Sequence, residues 1–168
     1  NYEQYGIPKL DPNSVGDISL MSIGQKFRIT PLEALSLPNT VINNGTYVKP
    51  NIVEGYVDEN EKVVHTPETI RKNVFSTNTA NIMKEQMRQV VLDKKGTAHL
   101  AYVSNNDVGG KTGTSTRIEK EKHVDGWFVG FFKIKDKYYS AVVQVPDIKN
   151  SEEAGITAVP VFKRIVEE

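Results

Sequence analysis

The spacing of hydrophobic and polar residues predicts that the first long helix begins near residue 30. Thr30 suits the N-cap, Pro31 suits the first helical position, and Glu33 completes a capping box. The helix would end at Asn43-Asn44-Gly45, and Pro38 should bend or split it because proline removes one backbone hydrogen bond. Its inward residues would be Leu32, Leu35, Val41 and Ile42.

Two further helices are predicted from apolar residues at helical spacing. One runs from about Thr77 to Asp93, and its methionines are interpreted as core filler. Its predicted face consists of Ile82, Met83, Gln86, Met87, Val90 and Val91. The other closes the chain, with an apolar face of Ile156, Val159, Phe162, Ile165 and Val166.

Three strands are predicted between these two helices. They are Val108 to Ser115, Val124 to Lys133 and Tyr138 to Val145. A tight turn at Lys135-Asp136-Lys137 makes the last two antiparallel, and Gly96-Thr97-Ala98 forms a turn before the first. The order of elements predicts an α+β fold in which helices cover an antiparallel sheet.

The remaining segments carry weaker patterns. Residues 1–19 are rich in Gly, Pro, Asn and Asp and are predicted to form a loop. Val48 to Val64 is predicted to be a hairpin that turns near Asp58-Glu59-Asn60. No repeat or low-complexity segment interrupts the chain, so its 168 residues suit one domain or a large piece of one.

Composition excludes several classes of function. Lys+Arg and Asp+Glu number 21 each, and no basic stripe with interleaved aromatics is present, so nucleic acid is not an expected partner. The absence of cysteine removes disulfides and thiolate chemistry, and His65, His99 and His123 lack metal-ligand spacing. No apolar run could span a bilayer, and Asn1 to Gly6 is not a signal peptide. Without an initiator methionine, the chain is expected to be a piece of a longer protein.

The most informative stretch is Gly109-Gly110-Lys111-Thr112-Gly113-Thr114-Ser115. Its lysine supplies a positive charge, and the hydroxyls of Thr112 and Thr114 can donate hydrogen bonds to the same anion. Gly113 has no Cβ, so an extended substrate could lie close to the backbone. This combination suits the wall of an enzyme site that binds a carboxylate.

The same residues resemble the third signature, K-T-G, of the penicillin-binding proteins and serine β-lactamases. The surrounding sequence makes the resemblance specific, and it covers nearly the whole chain. The matching segments resemble a class B transpeptidase in the family's order: Ser22-Ile23-Gly24-Gln25, Thr30-Pro31-Leu32, Asn43 to Pro50, Gly96-Thr97-Ala98, Gly110 to Thr114, and Asp125 to Gly130.

The resemblance implies roles for the residues of this strand. Lys111 would keep the catalytic hydroxyls in a positive field and attract the substrate carboxylate, which Thr112, Thr114 and neighbouring Ser115 would bind. The backbone N–H of Thr114 would be one of two oxyanion-hole donors, while the catalytic set comprises Lys111, Thr112, Gly113 and Thr114. Trp127 and Phe128, on the next strand, would pack the sheet beneath the cleft.

The implied activity is that of a D,D-transpeptidase on the outer face of the bacterial cytoplasmic membrane. It would cross-link peptidoglycan by acyl transfer through a serine ester, with no metal or organic cofactor. Expected partners are D-Ala-D-Ala stem peptides, β-lactams and cell-wall assembly proteins. The fold would be part of a penicillin-binding/β-lactamase-like transpeptidase fold.

Two signatures of the family are missing. No serine is followed three positions later by lysine, so the S-x-x-K nucleophile motif is absent. Ser104-Asn105-Asn106 fits S-x-N but lies too close to Lys111, and we interpret it as a turn. Residues 1–168 are therefore expected to be the C-terminal portion of a transpeptidase domain. The missing motifs, the membrane anchor and the rest of the domain would lie upstream, and this chain alone would be inactive.

Three alternatives remain open from the sequence. The chain could belong to a non-catalytic domain that binds peptidoglycan or β-lactams, or to a serine β-lactamase. Lys111 could also be only a solvated surface charge on an ordinary α+β domain. The charged segment from Arg117 to His123 is interpreted as a solvated loop, and the alternative is a loop that gates the cleft.

Overall fold

A computed structural model describes residues 14–25, 28–53, 55–65, 71–118, 123–148 and 154–168. Its helices are α1 (Val15–Ser22), α2 (Pro31–Ile42), α3 (Thr77–Leu92) and α4 (Ala154–Glu167). The main sheet is antiparallel and ordered β5 (Gly109–Ile118), β6 (His123–Ile134) and β7 (Lys137–Ile148). Two short antiparallel pairs join β1 (Thr46–Val48) to β4 (Arg71–Asn73) and β2 (Tyr56–Val57) to β3 (Val63–His65). The predicted α+β class is confirmed.

Helix α2 begins as predicted but is not split by its internal proline. The Thr30 hydroxyl accepts a hydrogen bond from the Glu33 N–H at 3.2 Å, and Glu33 Oε2 accepts one from the Thr30 N–H at 2.8 Å. The helix runs without interruption through Pro38, which is fully buried. Burial of the ring offsets the hydrogen bond that proline cannot make. Its buried residues are Ala34, Pro38, Thr40 and Val41, whereas Leu32, Leu35 and Ile42 are only half-buried.

Helix α3 has the predicted length, but its predicted apolar face is buried only towards the C-terminal end. Val91 is fully buried and Val90 half-buried, whereas Ile82 is 52% exposed. The prediction that the methionines fill the core is wrong for Met83, which is exposed, and Met87 is half-buried. Ile82 and Met83 lie in the first half of the helix, and both are exposed.

Helices cover both faces of the main sheet. Helix α4 packs against β6 and β7 through Phe162, whose ring centroid lies 4.6 Å from that of Phe128 in an edge-to-face contact. Helix α2 also packs against β6 and β7, yet within the described residues it makes no extensive contact with α4. It therefore lies on the opposite face, together with α3, which it contacts.

The segment predicted as an N-terminal loop contains helix α1, so that prediction is wrong from Val15 onward. Ser14 caps the helix, because its hydroxyl accepts a hydrogen bond from the Asp17 N–H at 3.3 Å. The helix includes Gly16 and buries none of its residues. Neither propensity nor apolar periodicity could therefore reveal it. Residues 1–13 lie outside the described residues.

The predicted hairpin from Val48 to Val64 is confirmed only in its second half. Strands β2 and β3 pair across a turn in which Asp58 Oδ1 accepts hydrogen bonds from the N–H groups of Asn60 and Lys62, both at 2.9 Å. Val48 instead belongs to β1, which pairs with β4. Pro50 cannot donate to a strand ladder, and Asn51 closes a local turn with Val53, so residues 49–53 form no strand.

A charged cluster holds the start of β5 against α3 and β7. The Asp107 carboxylate lies 2.9 Å from Arg88 Nε and accepts a hydrogen bond from the Tyr138 hydroxyl. Lys84 Nζ lies 3.7 Å from the centroid of the Tyr138 ring and 3.9 Å from Asp107 Oδ2. Three elements distant in the sequence thereby meet at one carboxylate.

This cluster raises the pKa of Tyr138 to about 12, first through burial of the phenol and then through its hydrogen bond to the Asp107 carboxylate. Burial lowers the pKa of Lys84, against the opposing charge of Asp107. Because the pKa of Tyr138 is higher in the folded chain, its neutral form is favoured by folding. The resulting stabilisation is complete below about pH 10 and is lost as pH rises through about 12.

Tyr138→Phe should lower the free energy of unfolding by about 1 to 3 kcal/mol at pH 8, because it removes a hydrogen bond to a charged carboxylate. The difference from the wild-type chain should shrink between pH 10 and pH 12. Urea unfolding of both chains across this range measures it. A difference in the free energy of unfolding that does not change with pH would show that the contact with Asp107 does not oppose deprotonation of Tyr138.

Candidate active site

Strand β5 carries the predicted site residues along an edge of the main sheet. Among the described residues it pairs only with β6, so its other edge has no strand partner. Because side chains alternate along a strand, the predicted residues divide between two faces. Lys111, Gly113 and Ser115 lie on one face, and Thr112 and Thr114 lie on the other.

The Lys111 side chain is exposed and folds along its own strand. Its Nζ donates a hydrogen bond to the carbonyl oxygen of Thr112 at 2.7 Å. The ammonium group is therefore held beside the backbone of β5 while remaining open to solvent. An anion that reaches this edge would meet a positive charge already in place.

The Thr112 hydroxyl is paired with a hydroxyl from another element. Its Oγ1 lies 2.9 Å from Oγ1 of Thr97, in the turn that follows α3, and either group can be the donor. The turn is tightly packed: a Cβ on Gly96 would lie 2.2 Å from the carbonyl oxygen of Val90. A Cβ on Gly155, in α4, would lie 2.7 Å from the carbonyl oxygen of Thr97. Thr97 is thus fixed between two helices and gives Thr112 a fixed partner.

The glycines of β5 differ in how closely other residues pack against them. A Cβ on Gly109 would lie 2.4 Å from the Phe131 ring, and a Cβ on Gly110 would lie 2.2 Å from the Phe128 ring. At Gly113 the nearest atom would be Cβ of Trp127 at 3.5 Å, an ordinary contact. Packing explains the first two glycines, whereas a methyl group at the third would fit without a clash.

Ser115 contacts the neighbouring strand rather than standing alone. Its hydroxyl oxygen accepts a hydrogen bond from Trp127 Nε1 at 2.9 Å. The prediction that Trp127 and Phe128 pack the sheet holds for Phe128, which is fully buried, whereas Trp127 is half-buried and also reaches the site strand. Thr114 is exposed and pairs across the ladder with Gly126.

Sequence reasoning missed the role of Asp125, which is 1% exposed. Its carboxylate accepts hydrogen bonds from the N–H of Asp147 at 3.1 Å and from Gln144 Nε2 at 2.9 Å. The β6–β7 register shifts at this point, and Asp147 has a φ of 57°. Asp125 therefore holds a β-bulge beside the end of β5. An acidic residue inside an otherwise apolar strand was the available signal.

The remaining predicted features are the turn at Ser104, the histidines and the charged segment after β5. Ser104-Asn105-Asn106 forms the predicted turn, in which Asn105 has a φ of 65° and Asn106 Oδ1 accepts from the Lys133 N–H at 3.1 Å. His99 Nδ1 lies 3.0 Å from the carbonyl oxygen of Val91. Within the described ranges, no three His, Asp or Glu side chains are placed to hold a metal ion. The loop predicted from Arg117 to His123 is wrong at its ends, because Arg117 and Ile118 belong to β5 and His123 to β6. Residues 119–122 lie outside the described residues.

Comparison with protein families adds an independent finding. Residues 2–167 match the model of the penicillin-binding protein transpeptidase domain. Penicillin-binding protein 1A of Clostridium botulinum is 32% identical over 92% of this chain, and the match covers 17% of that protein. A peptidoglycan D,D-transpeptidase FtsI homolog of Mesostigma viride is 28% identical over 89% of this chain and 28% of that protein.

A solved structure resembles the fold. Penicillin-binding protein 3 of Mycobacterium tuberculosis, in complex with aztreonam, superposes with a TM-score of 0.73 at 25% identity. The match covers 88% of this chain and 36% of that chain. This chain therefore spans about a sixth to a third of the proteins it matches.

The glycine contacts predict opposite effects of two alanine substitutions on stability. Gly110→Ala should lower the free energy of unfolding by about 1 to 3 kcal/mol or more, because its Cβ would press into the Phe128 ring. Gly113→Ala should leave it unchanged or raise it by up to about 1 kcal/mol, because alanine restricts the unfolded chain. Urea unfolding of the two variants measures this difference. An equal loss of unfolding free energy in both would contradict the difference in packing.

Proposed function

The chain belongs to the penicillin-binding protein transpeptidase family, and on that premise we propose that it forms one wall of the active site of a serine D,D-transpeptidase. The reaction would cross-link peptidoglycan stem peptides that end in D-Ala-D-Ala. The observation that carries the proposal is the edge of β5. There the exposed Lys111 stands two residues before Gly113, a glycine that protein packing does not require.

The charged and hydroxyl groups along the edge of β5 suit the carboxylate end of a bound peptide. The ammonium of Lys111 would attract the terminal carboxylate, and the hydroxyls of Thr112 and Thr114 would donate hydrogen bonds to it. Thr112 can donate outward when Thr97 donates to it, since the two oxygens are 2.9 Å apart. The lack of a Cβ at Gly113 would let the peptide backbone approach the strand.

Acyl transfer then needs a nucleophile and a place for negative charge. A serine hydroxyl would attack the carbonyl carbon of the penultimate D-Ala, lose its proton to a base and release the terminal D-Ala. The Thr114 N–H would donate to the oxyanion of the tetrahedral intermediate. An amine of a second stem peptide would then displace the serine and form the cross-link.

The nucleophile and base would come from chain outside these residues. No serine of this sequence has a lysine three positions later, and the matched relatives are several times longer than this chain. Residues 1–168 would thus be the C-terminal portion of the domain. The class B-like assignment stays a prediction, since the matches include both a penicillin-binding protein 1A and an FtsI homolog.

The proposed ligands and location follow from the same reaction. β-Lactams would occupy the site as analogues of D-Ala-D-Ala, in keeping with the aztreonam complex of the similar Mycobacterium tuberculosis protein. The protein would act on the outer face of the cytoplasmic membrane, near other proteins of cell-wall assembly. None of the helices described has the length and apolar character needed to cross a membrane. The proposed anchor would lie elsewhere in the protein.

Lys111→Ala in the full-length protein should lower the second-order rate constant of acylation by labelled penicillin roughly 10- to 100-fold, because it removes a charged hydrogen-bond donor. Lys62→Ala, an exposed lysine in the β2–β3 turn, is the matched control. Peptide mass spectrometry should place the adduct on a serine outside this sequence. An unchanged rate for Lys111→Ala would mean that Lys111 is only a surface charge.

The same labelling separates the alternatives. The isolated chain should form no adduct, and an adduct on one of its own serines would overturn the assignment of the nucleophile. Rapid turnover of a chromogenic cephalosporin by the full-length protein would indicate a serine β-lactamase. Binding of stem peptide without any adduct would indicate a non-catalytic domain.

Gly113→Ala should reduce acylation by labelled penicillin at least 10-fold even though the chain keeps its stability, because the added methyl group would occupy the space proposed for the substrate backbone. Acylation kinetics of the full-length variant, with urea unfolding of the same variant in the isolated chain, measure the two effects. Normal acylation by Gly113→Ala would contradict a close approach of substrate at this residue.

A further inference from the structure

Trp127 contacts both neighbours of Thr114 on the site strand. Its Nε1 donates to the Ser115 hydroxyl at 2.9 Å, and its Cβ faces Gly113, the residue paired with it across the ladder. Thr114 lies between these two contact points. Trp127 is therefore joined to the residues on either side of the proposed oxyanion donor, by a side-chain hydrogen bond at Ser115 and by ladder pairing at Gly113.

The sheet is irregular near the end of β5. On the described part of the chain, β5 has a strand partner on one side only. The β5–β6 register shifts between Thr116 and Ile118, directly after this segment. The β6–β7 register shifts between Val124 and Gly126, where Asp125 holds the bulge. Thr114 pairs with Gly126, so both irregularities begin within a few residues of it, towards the end of β5.

A side-chain hydrogen bond matters more at such a place than inside a regular ladder. A register shift disrupts the ladder locally and twists the strand, and the direction of its N–H groups changes with the twist. An oxyanion donor acts at about 2.7 to 3.1 Å from the oxyanion, and losing one costs roughly 100- to 1000-fold in rate. A restraint on Ser115 is thus a restraint on the Thr114 amide.

We propose that Trp127 is a positioning residue for acyl transfer, which holds the Thr114 N–H towards the oxyanion by clamping Gly113 and Ser115. The Ser115 hydroxyl oxygen accepts the hydrogen bond from Trp127 that forms this clamp. The proposal rests on the proposed function and assigns Ser115 a role different from direct substrate binding. The Trp127 indole itself does not touch the reacting atoms.

The test separates binding from chemistry in the full-length protein. The dissociation constant Ks and the acylation rate constant k2 are measured for benzylpenicillin by stopped flow. Trp127→Phe keeps a ring but removes the N–H, and it should lower k2 roughly 5- to 50-fold with Ks within about 2-fold. Ser115→Ala should lower k2 to a similar extent, because it removes the acceptor. Ser115 is exposed, so this variant should fold normally.

A double-mutant cycle tests whether the two residues act as one unit. The variant with both substitutions should acylate no more slowly than either single variant, because the same hydrogen bond is lost in each. Ser115→Thr keeps a hydroxyl and should restore most of k2. Ser104→Ala, an exposed serine in the turn before β5, is the matched control.

Each alternative outcome has a distinct meaning. A fall in affinity for Ser115→Ala with normal k2 would show direct substrate binding and overturn the clamp. The clamp would also be overturned if the fold reductions in k2 multiply in the double variant, or if k2 is unchanged in both single variants. Absence of acylation in the wild-type protein would instead overturn the proposed function.

Discussion

The arrangement of the site depends on one steric constraint, the direct contact of aromatic rings with the backbone of β5 and β6. The Phe128 ring occupies the space that a Cβ of Gly110 would need, and Gly130 leaves room for Phe162 in the same way. These contacts bring α4 onto the sheet and bury Phe128 and Phe162 completely. Lys111 follows Gly110 directly, so the packing of the core also sets how far strand β5 lies from the core.

Much of this architecture could be predicted because local chemistry and global packing agree. The cap at Thr30, the length of α3 and the turn before β7 all follow from short-range patterns. Helix α1 could not be predicted, since it buries nothing and includes Gly16. The continuity of α2 could not be predicted either, because burial of Pro38 is a tertiary effect that its neighbours in sequence do not reveal.

The candidate site was predictable as a set of residues but not as a geometry. The motif around Lys111 indicated which residue types would bind a carboxylate. The contact of Thr112 with Thr97 joins residues fifteen positions apart, and that of Ser115 with Trp127 joins residues twelve apart. Both depend on how a turn and a neighbouring strand pack. The role of Asp125 depends on a bulge in β7, a further strand away.

The edge of β5 that no described strand covers has a second consequence, for the behaviour of the chain in solution. A strand edge that can receive an extended substrate can in principle receive an extended segment of another molecule, which is the first step of aggregation. Lys111 opposes this, since two such edges that paired would bring like charges together along with the hydroxyl side chains. The charge proposed to attract a ligand therefore also protects solubility, and its removal would expose the edge to self-association.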